Sequence, residues 1–120
     1  MVVEPDLAFG SHDIVSPDLV GWRRERFPEL PQEGPVTVVP DWICEVISPS
    51  SIQRDRVLKA DLYLHPGVRH YWLLDLPARL LEAFEARQGG WFRLGAWTPD
   101  DRAAIPPFEA VEIDLGRFFA

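Results

Sequence analysis

The sequence predicts an α/β fold built around one unit of β-strand, α-helix and β-strand. Residues 41–47 and 69–75 are short apolar runs rich in β-branched and aromatic residues, which is typical of strands buried on both faces. Between them, residues 52–65 carry apolar side chains at helical spacing after a run of serines that can cap a helix. Short connections join the three elements, so we expect a parallel strand pair with a right-handed crossover.

The N-terminal part of the chain predicts a strand, a short helix and a long loop. A strand over residues 2–9 is interrupted by a proline, so Asp6 should lie near a strand end. Residues 17–27 predict a helix, because Ser16 is a suitable N-cap and a proline follows at the first helical position. Residues 28–40 are rich in proline and predict a surface loop.

The C-terminal part of the chain predicts a β-hairpin. Residues 80–86 and 91–97 flank Gln88-Gly89-Gly90, which is a typical hairpin turn. Residues 111–119 alternate poorly between apolar and polar side chains. They predict either a last strand or a short helix that covers a sheet edge.

Composition indicates one globular domain over residues 1–120. Of these residues 47% are hydrophobic and 26% are charged, which suits a single core. No apolar stretch approaches the roughly 18 residues of a membrane span, and acidic Glu4 and Asp6 stand where a signal peptide would be basic or apolar. We therefore expect a cytoplasmic protein with no membrane partner.

The net charge and the cysteine content argue against several classes of function. The net charge of −7 argues against non-specific binding of nucleic acid over the whole surface, although it allows a local basic patch. Cys44 is the only cysteine, which excludes a disulfide framework and a thiolate metal cluster. Its place in an apolar strand predicts a small buried side chain.

Glu45 is the most informative residue of the chain. It stands inside an apolar run, where an ionised carboxylate is costly unless a cation or a metal ion compensates it. It also lies near the carboxyl end of a central strand, where open α/β sheets place their binding sites. Asp6 from a neighbouring strand and Lys59 from the following helix are the residues we expect to join it.

These three residue types suit metal-assisted phosphodiester hydrolysis. Two carboxylates can hold a hard cation such as Mg²⁺, and a lysine can orient or deprotonate a water or stabilise a phosphate oxyanion. The alternative is structural: Asp6 caps a turn, Glu45 pairs with Arg54 or Lys59, and Lys59 is a surface residue. A third alternative is a metal-independent acid/base enzyme that uses Glu45 with His70 or Tyr71.

Four ordered segments of the chain are similar to the Uma2 family, and the likeness extends from about residue 3 to the end. The segments are Glu4-Pro5-Asp6-Leu7-Ala8-Phe9, Pro40-Asp41-Trp42-Ile43-Cys44-Glu45-Val46-Ile47-Ser48-Pro49-Ser50-Ser51, Arg54-Asp55-Arg56-Val57-Leu58-Lys59-Ala60 with Tyr63, and Gly67-Val68-Arg69-His70-Tyr71-Trp72-Leu73-Leu74-Asp75. The family is assigned to the PD-(D/E)XK superfamily. The resemblance therefore implies a restriction-endonuclease-like fold, with a mixed central sheet, a βαβ core unit and a C-terminal hairpin.

The resemblance also implies an activity and a set of site residues. It implies an endonuclease that hydrolyses DNA with a water activated by Mg²⁺ or Mn²⁺. By position, Asp6 resembles the acid of the PD element, Glu45 the second metal-binding carboxylate, and Lys59 the lysine that this family carries on the helix. Pro40-Asp41 also spells PD, but Asp41 is roughly 13 Å from Glu45 along the same strand, too far to share one metal ion. We expect a structural role for Asp41.

Two departures from the family pattern bear on function. The superfamily usually has a lysine two residues after the second acid, and this chain has Ile47 there. Family members usually carry a helix and strands before the PD strand, so the resemblance implies that these N-terminal elements are missing. An uncovered sheet edge would favour a homodimer or a partner that completes the sheet. The alternative function is a catalytically inactive binding or scaffold module with a nuclease fold.

Overall fold

A computed structural model describes residues 2–3, 7–9, 13–15, 18–26, 37–47, 63–64 and 66–119. The strands in chain order are β1 (Val2–Val3), β2 (Leu7–Phe9), β3 (Asp13–Val15), β4 (Leu19–Gly21), β5 (Trp42–Ile47), β6 (His70–Asp75), β7 (Leu80–Arg87), β8 (Gly90–Trp97), β9 (Arg102–Ala103) and β10 (Ile113–Asp114). Two 3-10 helices, η1 (Arg24–Arg26) and η2 (Leu115–Phe118), complete the described elements. No helix among these residues is long and apolar enough to span a membrane.

Most of the strands belong to one mixed sheet. Its six strands follow the order β1-β4-β5-β6-β7-β8, while β2 pairs with β3 and β9 pairs with β10 in two small antiparallel sheets. The strand predicted as continuous over residues 2–9 is therefore two strands, β1 and β2, that belong to different sheets.

The central pair of the sheet is β5 and β6, which are parallel as predicted. Glu45 lies opposite Leu73 in their register. The helix predicted over residues 52–65 falls outside the described residues, except that Tyr63 and Leu64 are helical. The described part of the chain is mostly sheet, so the α/β class with a βαβ core stays a prediction.

The helix predicted over residues 17–27 is wrong. Leu19–Gly21 form β4, which pairs antiparallel with β5, and among residues 18–26 helical geometry is confined to η1. Pairing in the sheet buries Val20 completely, and this tertiary gain outweighs the local helix signal. Gly21 suits the strand because a Cβ there would meet the Trp42 ring at 3.1 Å.

The sheet buries apolar side chains on both faces. We call them the Glu45 face and the Trp42 face, since alternate residues of β5 point to opposite sides. The core on the Glu45 face contains Val20, Trp22, Ile43, Ile47, Tyr63, Val68, Tyr71 and Leu73. The core on the Trp42 face contains Trp42, Cys44, Trp72, Leu81, Ala83, Ile105 and Leu115.

The C-terminal hairpin is confirmed. β7 and β8 pair antiparallel and turn at Gln88 and Gly89, whose φ angles of 50° and 78° match the primed turns of tight hairpins. A β-bulge interrupts the ladder: Ala83 lies opposite Gly95, whereas the next residue of β7 lies opposite Arg93, which leaves Leu94 as the extra residue.

Candidate functional site

Glu45 lies in the centre of the sheet with only 7% of its surface exposed. Its carboxylate points to the Glu45 face, and its Oε1 accepts a hydrogen bond from the hydroxyl of Tyr63. Tyr63 is fully buried and lies edge-on to Tyr71, with 5.6 Å between ring centroids. Glu45 is therefore a buried acid whose orientation is set by a donor from the segment before β6.

Asp18 is the second acid at this place. It precedes β4, in which Leu19 lies opposite Cys44, so the same antiparallel register brings Asp18 opposite Glu45. The Oδ2 atom of Asp18 accepts a hydrogen bond of 2.7 Å from the backbone N–H of Val46. The carboxylate of Asp18 is thus held beside the strand segment that carries Glu45.

The charges of Asp18 and Glu45 both raise the pKa values of two neighbouring groups, Cys44 and Tyr63. Burial raises the pKa of the Cys44 thiol to about 12, and the charges of Asp18 and Glu45 add to this rise. Burial also raises the pKa of the Tyr63 hydroxyl, helped by the charge and the hydrogen bond of Glu45 and by the charge of Asp18. Both groups therefore stay protonated, and two acids at this place would favour a bound cation.

The donor set suits a hard divalent cation. Carboxylate oxygens are the ligands that Mg²⁺ and Mn²⁺ prefer, and a site with one or two carboxylates leaves positions for water and phosphate. Among the residues that the structure describes, no group of three or more His, Cys, Asp or Glu side chains could hold a metal ion. The candidate centre therefore consists of the pair Asp18 and Glu45.

Of the three site residues predicted from the sequence, only Glu45 is described. Asp6 and Lys59 lie outside the described residues. Leu7, the residue after Asp6, starts a strand of a small sheet that is separate from the sheet of Glu45. Asp18 was missed, although Pro17-Asp18 repeats the Pro-Asp pair, because the predicted helix placed it in a first turn.

Asp41 has the structural role that its position predicted. The residue is 6% exposed. Its carboxylate accepts a hydrogen bond from the backbone N–H of Arg23 at 2.6 Å and another from the guanidinium of Arg26 at 2.5 Å. It therefore joins η1 to the start of β5, at the far end of the strand from Glu45.

An acid/base pair of Glu45 with His70 is wrong. His70 lies opposite Trp42 in the parallel register, whereas Glu45 lies opposite Leu73, three residues further along β6. An odd spacing places two strand residues on opposite faces, so His70 belongs to the Trp42 face. Its imidazole and the Glu45 carboxylate are separated by the sheet.

Comparisons with known proteins agree with a nuclease-like fold. The model of the Uma2 family, described as "Putative restriction endonuclease", matches residues 1–116. A crystal structure from Anabaena variabilis, described as a "putative nuclease belonging to DUF820", superposes with a TM-score of 0.74 and 21% identity, over 99% of this chain and 68% of that chain. At this identity the likeness shows the fold alone. No curated protein matches the chain.

Proposed function

The chain belongs to the Uma2 family, and from this premise we propose that it is an endonuclease that hydrolyses phosphodiester bonds of DNA with Mg²⁺ or Mn²⁺. The observation that carries the proposal is the antiparallel register that sets half-buried Asp18 opposite buried Glu45. Two ionised carboxylates at adjacent strand positions repel each other, and a cation bound between them would remove this repulsion.

In the proposed site, Asp18 and Glu45 hold the cation. When bound, such an ion lowers the pKa of a water and neutralises the charge that develops on a phosphate. The protein contributes a rigid acid in β5, the Tyr63 donor that orients it, and a buried environment in which electrostatic interactions are strong.

Lys59 is the proposed general base or oxyanion-stabilising group. The contact between Tyr63 and Glu45 supports this role, because residues four apart on a helix share a face. If residues 52–65 form the predicted crossover helix, Lys59 lies one turn before Tyr63 on the side directed at Glu45. That position would compensate for the apolar Ile47, which is buried where the superfamily usually has its lysine.

Asp6 is the alternative second ligand. The sequence resemblance favours Asp6, whereas the register of β4 and β5 favours Asp18. The two assignments differ in a measurable way, since only the true ligand should be needed for metal binding when the other is replaced by asparagine.

Calorimetric titration with Mn²⁺ tests the metal centre. We expect about one site in the wild type, and no detectable binding in Asp18→Asn or Glu45→Gln. Glu82→Gln is the matched control, because Glu82 is a partly buried acid in the same sheet that is ion-paired with Arg93 at 3.0 Å. Unchanged binding in Asp18→Asn with lost binding in Asp6→Asn would assign the second ligand to Asp6.

Cleavage of supercoiled plasmid tests the reaction and separates it from the alternative of an inactive nuclease-fold module. We expect nicking that requires Mg²⁺ or Mn²⁺ and disappears in Glu45→Gln and Lys59→Ala. Metal binding without nicking in the wild type would support the binding module. The buried Ile47 is the observation in favour of that alternative, since it leaves the usual lysine position apolar.

A further inference from the structure

We propose that Tyr63 is a positioning residue that fixes the Glu45 carboxylate for metal binding. This inference rests on the proposed function, because Glu45 acts there as a metal ligand. It adds a residue that touches no metal, substrate or reacting atom and acts through the hydrogen bond from its hydroxyl to Oε1 of Glu45.

Two backbone hydrogen bonds hold Tyr63 and Leu64 just before β6. The N–H of Val68 donates to the carbonyl of Tyr63 and the N–H of Gly67 donates to the carbonyl of Leu64, both at 3.2 Å. Gly67 has a φ of 102°, which a glycine adopts without strain. This pattern is a Schellman motif, and Tyr63 and Val68, the two residues that usually form its apolar contact, are both fully buried in one core.

The ring of Tyr63 is equally constrained. It packs edge-on against Tyr71, and Tyr71 in turn contacts Trp91 with 5.5 Å between ring centroids and Phe84 with 6.1 Å. The backbone hydrogen bonds and this aromatic cluster together restrict the orientation of the ring. Its hydroxyl therefore presents a donor at a fixed place in front of Glu45.

The chemistry of this donor suits a partner of a metal ligand. The Tyr63 hydroxyl is an uncharged donor, so it can orient the Glu45 carboxylate without competing with a cation for it. Hydrogen bonds to metal-binding side chains orient them, and their loss typically weakens metal affinity by about 10- to 100-fold. Replacement of Tyr63 by phenylalanine should have an effect of this size while the ring stays in its core.

A double-mutant cycle without metal tests the contact itself. Urea unfolding is measured for the wild type, Tyr63→Phe, Glu45→Leu and the double variant. We expect the stability loss caused by Tyr63→Phe to be smaller in the Glu45→Leu background, because the hydroxyl then has lost its acceptor. Losses that add without any coupling would overturn the proposal.

Mn²⁺ titration at a temperature where every variant is folded tests the consequence. We expect Tyr63→Phe to bind Mn²⁺ about 10- to 100-fold more weakly than the wild type. Tyr71→Phe, which removes the same atom from the adjacent ring, should bind like the wild type. A loss of affinity shared by both variants would indicate a general effect on the core and overturn the positioning role.

The outcomes separate this proposal from the proposed function. Wild-type affinity in Tyr63→Phe, with binding abolished in Glu45→Gln, would overturn the role of Tyr63 and leave the metal centre intact. No Mn²⁺ binding by the wild type would overturn the metal centre. The double-mutant cycle would in that case still decide whether Tyr63 holds Glu45.

Discussion

The carboxylate of Asp18 accepts a hydrogen bond of 2.7 Å from the backbone N–H of Val46, the residue that follows Glu45. β4 begins only at Leu19, so this N–H is bonded to a side chain at the point where the paired strand ends. The hydrogen bond holds the side chain of Asp18 against β5, the strand that carries Glu45. The antiparallel register sets the two residues opposite each other.

Their repulsion leads to a prediction with a clear sign. We expect Glu45→Gln to raise the free energy of unfolding of the metal-free protein by about 0.5–2 kcal/mol, because it removes a buried charge beside half-buried Asp18 and keeps an acceptor for Tyr63. Urea unfolding with and without Mn²⁺ measures this. Only the wild type should gain stability from the metal, by about 2.7 kcal/mol at 100 times its Kd. A destabilised Glu45→Gln would instead identify Glu45 as one member of a buried ion pair.

Asp41 should matter for stability and not for metal binding. Asp41→Asn weakens two hydrogen bonds at a buried carboxylate, so we expect a loss of about 1–3 kcal/mol in the free energy of unfolding. Glu112→Gln is the control, because its ion pair with Arg102 is exposed and should contribute at most about 1 kcal/mol. Equal losses for the two variants in urea unfolding would contradict the prediction.

His70 should make stability depend on pH. Burial lowers its pKa, Arg23 and Arg69 lower it further, and Glu85 and Glu109 oppose them. Because the unfolded chain then binds the proton more readily, the contribution of His70 is complete above about pH 6.5 and is lost as the pH falls below it. We expect His70→Gln to flatten this part of the profile in urea unfolding between pH 5 and 8. The other histidines are present in both proteins, so an unchanged slope would exclude His70 as the cause.

Cys44 should resist thiol reagents in the folded protein. It is 3% exposed, and its pKa is raised to about 12, so both access and thiolate formation are suppressed. We expect a disulfide reagent at pH 8 to react only as fast as the protein opens, and at once in denaturing urea. Since Cys44 is the only cysteine, the rate reports on one site. Rapid stoichiometric reaction without urea would show that the Trp42 face opens near β5.

Sequence patterns predicted the sheet best where side chains alone determine burial. The strands predicted at residues 41–47 and 69–75 are found at Trp42–Ile47 and His70–Asp75. A run that is apolar on both faces is stable only when both faces are buried, as in the centre of a sheet. The hairpin was equally clear, since its turn needs two residues with positive φ and Gln88-Gly89 can supply them.

Sequence patterns failed where a partner far along the chain decides the structure. Ser16 and Pro17 resemble a helix start, but pairing with β5 draws Leu19 and Val20 into the sheet. Asp18 was therefore not predicted as a site residue, because only the antiparallel register of β4 and β5 brings it opposite Glu45. The buried acid itself was predictable, since a carboxylate within an apolar run needs an explanation wherever the strand lies.

The sheet also implies an order of assembly. β6, β7 and β8 follow one another along the chain and pair as neighbours, so their loops close at little entropic cost. The parallel pairing of β5 with β6 spans the whole crossover segment and closes a far longer loop. We therefore expect the meander to form early and β5 to dock late. Because Glu45 arrives with β5, its hydrogen bond with Tyr63 and its position opposite Asp18 should form only as folding ends.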